Sequence, residues 1–119
     1  MLTISKQFHF SAAHQLHGLK EGHPCGRMHG HNYQLTVYLQ GKPNEVGFIQ
    51  DYNELAPIKD YVDNHLDHRL LNDVFVNVNP TVENMAPIIF NYLKKDFPLL
   101  HAIELSETPK TSCRYEPHI

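Results

Sequence analysis

Between Asn32 and Gln40 the apolar side chains Tyr33, Leu35, Val37 and Leu39 fall on every second residue, and Gly41-Lys42-Pro43-Asn44 ends the run. A period of two gives an extended strand one apolar face and one polar face, so the segment requires a sheet covered on one side. Leu2, Ile4, Phe8 and Phe10 alternate in the same way with Thr3, Ser5, Gln7 and His9, broken only at Lys6, and the count continues to Ala12 and His14. After Pro98 the period returns at Ile103 and Leu105, and "PKTS" turns the chain into "CRYE", which reads as a closing hairpin.

Between these strands the period changes to that of a helix. Asp51 and Glu54 have capping-box spacing ahead of the stripe Leu55, Ile58, Val62, Leu66, and Pro57 puts the start nearer Asn53, because a proline in the first turn removes no intrahelical donor. A second stripe, Val82, Met85, Ala86, Ile89, Leu93, follows a Thr81 cap and ends before Pro98. Pro87 is expected to kink that helix or mark a late start. The order ββααββ predicts an α+β fold, a four-stranded antiparallel sheet with two helices. With 119 residues, 41% of them hydrophobic, the chain is expected to form one domain over 1–119.

Charge and hydropathy exclude several classes. The formal net charge is −3 and no run of Lys and Arg occurs, which argues against nucleic acid as a partner. "MLTISKQFHF" lacks the apolar core of a signal peptide, and no stretch approaches the roughly 20 apolar residues of a membrane span, so a soluble, cytoplasmic protein without membrane contact is expected. Cys25 and Cys113 are then expected as thiols.

Ten histidines prompt a search for metal ligands. In "CGRMHGH", residues 25–31, His29 and His31 share the odd parity of Tyr33 and Leu35, so a strand that starts early enough turns both imidazoles to the covered side. His14, at the end of the first strand, is the natural third member. Three imidazoles gathered on a covered face need something to satisfy their nitrogens, and Zn²⁺ does so, with three protein ligands and an open fourth position marking a catalytic site. The residues alone leave two alternatives: ordinary hydrogen-bonded histidines in a loop, or a closed structural site with Cys25 as fourth ligand.

Two carboxylates call for explanation. Asp67 directly precedes His68 at the end of the first helix; the pair is either an oriented, more basic imidazole or a charged helix end. Glu107 has the parity of Ile103 and Leu105. Either the strand ends at Ser106, or a carboxylate lies on the apolar face and requires a partner, such as a flat heterocycle offering two parallel N–H donors.

"FHFSAAH", "CGRMHGHNYQLTV", "GFIQDYNEL", "LDHRLLND", "NPTVENMA" and "ETPKTSCRY" together cover nearly the whole chain. In order and spacing they resemble the 6-pyruvoyltetrahydropterin synthase family, and within it the bacterial branch that makes 6-carboxytetrahydropterin for queuosine (7-deazaguanine) biosynthesis. The resemblance implies a tunnelling fold, whose ββααββ subunits form trimers with sheets closed into a barrel, two trimers usually stacking into a hexamer. By position it implies zinc on His14, His29 and His31, and Cys25 as the catalytic thiol. Asp67 and His68 would complete a Cys-Asp-His set and reach Cys25 from a neighbouring subunit. Glu107 would anchor the pterin, assisted by the Thr81 region, with zinc at the other end of the substrate. Arg27, one of the scattered cations Lys6, Arg27, Lys110 and Arg114, is the substrate-binding candidate within the zinc motif.

The implied reaction is a zinc-dependent conversion of 7,8-dihydroneopterin triphosphate to 6-carboxy-5,6,7,8-tetrahydropterin, acetaldehyde and triphosphate. Zinc acts as a Lewis acid and Cys25 as the proton acceptor. Loss of triphosphate without carbon–carbon cleavage, giving the pyruvoyl product, is the alternative. A metal-free pterin aldolase or epimerase and a non-catalytic zinc module stand behind it. No nicotinamide or flavin is needed, and neither G-x-G-x-x-G nor a P-loop occurs.

Overall fold

The computed structural model describes residues 1–117. Four strands, β1 (Leu2–His14), β2 (His29–Gly41), β3 (Leu100–Thr108) and β4 (Thr111–Tyr115), form one antiparallel sheet in the order β1-β2-β3-β4. The pairing of β1 with β2 runs without a break from Leu2 opposite Gly41 to His14 opposite His29. The alternating residues do what their period requires: Phe8, Phe10, Tyr33, Leu35, Val37, Leu39, Ile103 and Leu105 are all buried on one face.

Helices cover that face, and they depart in detail from two simple rods. The first begins as a 3₁₀ turn, Tyr52–Leu55, closed by the reciprocal Asp51–Glu54 capping box; helix α1 (Ala56–Tyr61) follows, with Pro57 in its first turn. It then widens to a π turn, Val62–Leu66, in which the Asp67 N–H reaches back to the Val62 carbonyl at 2.8 Å. The stripe Leu55, Ile58, Val62 and Leu66 is fully packed. The extra residue of the π turn alters where the chain leaves the helix, and Asp67 and His68 occupy that exit. A short helix, α2 (Leu71–Val74), was not foreseen: four residues are too few for a period to register.

Helix α3 (Val82–Lys94) starts at Thr81, whose hydroxyl accepts the Asn84 N–H at 3.2 Å. The late start considered for Pro87 is therefore incorrect. The helix runs through Pro87, and Met85, Ala86, Ile89, Phe90 and Leu93 complete the core.

The outer edge of β1 is closed only near its C-terminal end. There His68 N–H donates to the Ser11 carbonyl, and Ala13 N–H to the Arg69 carbonyl at 3.0 Å. Among the described residues no strand pairs with the rest of that edge or with the outer edge of β4. Among them, too, no helix is long and apolar enough to cross a membrane.

Candidate functional site

The unbroken β1–β2 register builds a histidine cluster. His14 and His29 are directly opposite, and directly opposed residues share a face; His31 is two residues along β2, opposite the small Ala12. The candidate ligand nitrogens of the three lie within 4.8 Å of one another.

The hydrogen bonds determine which nitrogens carry protons. His14 Nδ1 is 2.8 Å from the Pro80 carbonyl and His29 Nδ1 is 2.7 Å from the Arg27 carbonyl. A carbonyl only accepts, so each Nδ1 holds its hydrogen and each neutral ring has a lone pair on Nε2. Those two Nε2 atoms face each other at 3.0 Å. Two lone pairs at that separation repel unless a cation lies between them. His31 Nε2 is buried and makes no hydrogen bond; its nearest charge is the Glu107 carboxylate at 3.5 Å. Burial lowers the pKa of His31 and the other two histidines add to the effect, while Glu107 opposes it. Three ring nitrogens that converge in this way, that of His31 unsatisfied among the described residues, suit a divalent cation such as Zn²⁺. Each outer nitrogen held by a carbonyl is the usual support for a metal-bound imidazole.

Tyr33 belongs to this cluster as well as to the core. Its ring stacks on Phe10 at 4.9 Å, and its hydroxyl is 3.2 Å from His14 Nδ1, whose N–H it shares with Pro80. Burial, reinforced by the charge of Glu107, raises the Tyr33 pKa, so the phenol stays protonated.

Glu107 lies within β3, which continues to Thr108; the strand does not end at Ser106. The pairing of Gln34 with Ser106 brings Glu107 level with Tyr33, one step from His31. The expected separation of Glu107 from the histidines by the length of a substrate is thus not found within the chain. Two clefts meet at Gly30–Asn32: one of about 530 Å³ extends to His68–Leu70, the other, of about 630 Å³, to Ser106–Pro109.

Cys25 sits at the centre of the turn Pro24–Gly26, where its N–H donates to His23 Nδ1 at 3.0 Å. It is a free, partly exposed thiol and, among the described residues, is not part of the converging ligand group. Cys113 is also free.

Asp67 and His68 form a pair in this chain. One Asp67 oxygen accepts the Ser11 N–H and the other the His68 Nδ1–H, each at 2.8 Å. These donors, Ser11 first, hold the Asp67 carboxyl below its usual pKa. His68 has φ +58°, a left-handed conformation uncommon outside glycine, and its side chain is 83% exposed. Among the described residues no hydrogen bond joins the pair to Cys25. The Thr81 hydroxyl is engaged as the α3 cap, and Arg27 contributes its backbone carbonyl to His29.

Periodicity could not reveal Tyr33, Pro80, Asn72 and Asn79. Tyr33 matched a core position; Pro80 acts through its backbone carbonyl on the distant His14 ring, and Asn72 and Asn79 through their side chains on the distant backbone of Gln15 and His17, contacts that have no period.

The chain matches the family described as 6-pyruvoyl tetrahydropterin synthase over residues 3–118. It is 40% identical to the 6-carboxy-5,6,7,8-tetrahydropterin synthase of Synechocystis sp., covering 97% of this chain and 93% of that protein. It is 34% identical to the 6-pyruvoyl tetrahydrobiopterin synthase of Poecilia reticulata, covering 94% and 88%. Its fold superposes on the structure of the Caenorhabditis elegans 6-pyruvoyl tetrahydropterin synthase with a TM-score of 0.88, at 30% identity, over 98% of this chain and 96% of that one.

Proposed function

Because the chain belongs to the 6-pyruvoyl tetrahydropterin synthase family, we propose that it is a zinc-dependent lyase. Its substrates are 7,8-dihydroneopterin triphosphate and one water, and its products are 6-carboxy-5,6,7,8-tetrahydropterin, acetaldehyde and triphosphate, in the route to queuosine. The observation that carries this reading is the convergence of three histidine ring nitrogens beside a cleft, with the Nε2 atoms of His14 and His29 3.0 Å apart and His31 Nε2 without a hydrogen bond among the described residues. The carboxy branch is preferred because the 40% relative bears that name and the 34% relative the pyruvoyl one.

When bound at His14, His29 and His31, zinc supplies a Lewis acid that favours loss of a proton from the substrate side chain. The protein residues do the rest. Cys25 accepts the proton as a thiolate. Asp67, kept ionised by Ser11 and His68, holds the His68 ring with Nδ1–H inward and Nε2 free to exchange a proton. Glu107 grips the pterin edge, and the Thr81 region and Arg27 complete the substrate contacts. Among the described residues Cys25 and the Asp67–His68 pair share no hydrogen bond, which supports a shared site between subunits. The open edges of β1 and β4 supply the means, since edge strands left unpaired are templates for another copy. A trimer closed through those edges, or two stacked trimers, is the assembly proposed, in the cytoplasm.

Incubation with 7,8-dihydroneopterin triphosphate followed by mass analysis tests the activity and the branch together. The carboxy product with acetaldehyde is expected. The pyruvoyl product would assign the alternative branch, and unchanged substrate would refute the reaction.

The purified protein is expected to hold about one zinc per chain at a site of three histidine ligands plus a non-protein oxygen. X-ray absorption at the zinc edge reads the ligands directly. A sulfur scatterer at about 2.3 Å would instead make Cys25 a ligand and the site a closed, structural one.

A further inference from the structure

Beyond β1, residues 15–17 are hydrogen-bonded along both edges as a strand would be, although the partners on neither side belong to a strand. On one edge, the Asn72 carboxamide accepts the Gln15 N–H at 2.9 Å and donates to the Gln15 carbonyl at 2.8 Å. The Asn79 carboxamide repeats the pattern on His17, at 3.0 and 2.9 Å. Each asparagine thus reproduces the paired bonds that a neighbouring strand would make with alternate residues. On the opposite edge the intervening Leu16 N–H donates to the Cys25 carbonyl at 3.1 Å, and the Gln15 side chain donates to the Gly26 carbonyl at 2.9 Å.

The Cys25 turn therefore hangs on a three-residue ribbon whose far edge is held by two side chains 57 and 62 residues away in sequence. The loop's own bonds to the turn are local: Cys25 N–H to His23 Nδ1, Gly26 N–H to the His23 carbonyl and His23 N–H to the Lys20 carbonyl. Residues 19–24 are exposed and Gly18 and Gly22 lie at positive φ. Asparagine is a poor choice for the short helix α2 on propensity alone, because its side chain competes for backbone hydrogen bonds. Here its carboxamide is fully used outside the helix.

We propose that Asn72 and Asn79 are positioning residues for Cys25: their carboxamides hold Gln15–His17 in place, and the ribbon so formed fixes the turn that carries the thiol. The consequence for activity rests on Cys25 being the proton acceptor, since a displacement of about 1 Å at a reacting group costs on the order of 100-fold in rate.

The test uses the zinc-loaded, full-length protein. Asn72→Ala is expected to lower kcat about 100-fold with KM and zinc content unchanged. It should also speed backbone deuterium exchange across the whole of 15–27, the Cys25 turn included. Asn72→Asp keeps the volume and the acceptor but sets a carboxylate against the Gln15 carbonyl, so it should behave like alanine; recovery by Asp would mean that the residue only fills space and would overturn the proposal. Exchange that quickens at 15–17 alone, or an unchanged kcat, would also overturn it. Asn79→Ala, which releases the His17 clamp, gives the same reading if the Asn72 variants do not fold. Deuterium exchange needs no substrate, so it decides the positioning role even if wild-type protein leaves dihydroneopterin triphosphate unchanged, a result that would count against the proposed reaction alone.

Discussion

Cys25→Ala is expected to reduce turnover by about 10²- to 10⁴-fold, the range associated with loss of a positioned acid–base group, while zinc content and thermal stability stay at wild-type values. The structure makes the two halves of that expectation separable. What holds Cys25 in its turn is backbone: its N–H on His23 and its carbonyl beneath Leu16. Alanine preserves both bonds. The sulfur is partly exposed and stands outside the converging histidine nitrogens, so its removal opens no core cavity and takes no atom from the metal-ligand group. A thiol that moves protons is lost with the chemistry, whereas a thiol that binds metal is lost with the metal. Zinc lost in parallel with activity would therefore assign Cys25 as a ligand.

The histidine cluster could be anticipated because strand parity is a strong constraint. Once Tyr33, Leu35, Val37 and Leu39 are buried, His29 and His31 must share their face if β2 begins at His29, and it does. His14 follows from the same count along β1, and the register that sets it opposite His29 is the one in which both apolar sets face the helices. The supports of the cluster could not be anticipated in this way. Pro80, which orients His14, and the asparagines behind the Cys25 turn come from segments more than 50 residues away, and their contacts depend on how helices α2 and α3 pack. The π turn before Asp67 was illegible for a related reason: it leaves the apolar stripe intact and changes only the exit direction of the chain. Pro87 left a late start open because a proline past the first turn normally interrupts a helix; here the Thr81 cap and the buried residues Met85, Ala86, Ile89 and Phe90 favour a single helix on both sides of it.

Glu107→Gln is expected to weaken binding of a dihydropterin by about 2–5 kcal/mol, roughly 30- to 4,000-fold, when zinc is kept saturating. A carboxylate accepts two N–H bonds from the aminopyrimidine edge of a pterin; glutamine has the same shape but turns one acceptor into a donor facing another donor. Saturating zinc is required because Glu107 lies 3.5 Å from His31 Nε2. Removing a negative charge there should also weaken the hold on a dication, an effect that would otherwise be mistaken for lost pterin affinity. The protein without ligand points the same way. Glu107 shares its face with Ile103 and Leu105, and its single ion-pair partner among the described residues is a histidine whose pKa is lowered by burial. A half-buried carboxylate with so little compensation costs folding energy, so the metal-free variant should melt no lower than wild type, and a higher melting temperature is consistent with the same argument. Calorimetric titration of the zinc-saturated variant with 7,8-dihydroneopterin reads the first effect. Affinity equal to wild type would leave Glu107 a neighbour of His31 and move the pterin anchor to another residue of the clefts beside Gly30–Asn32.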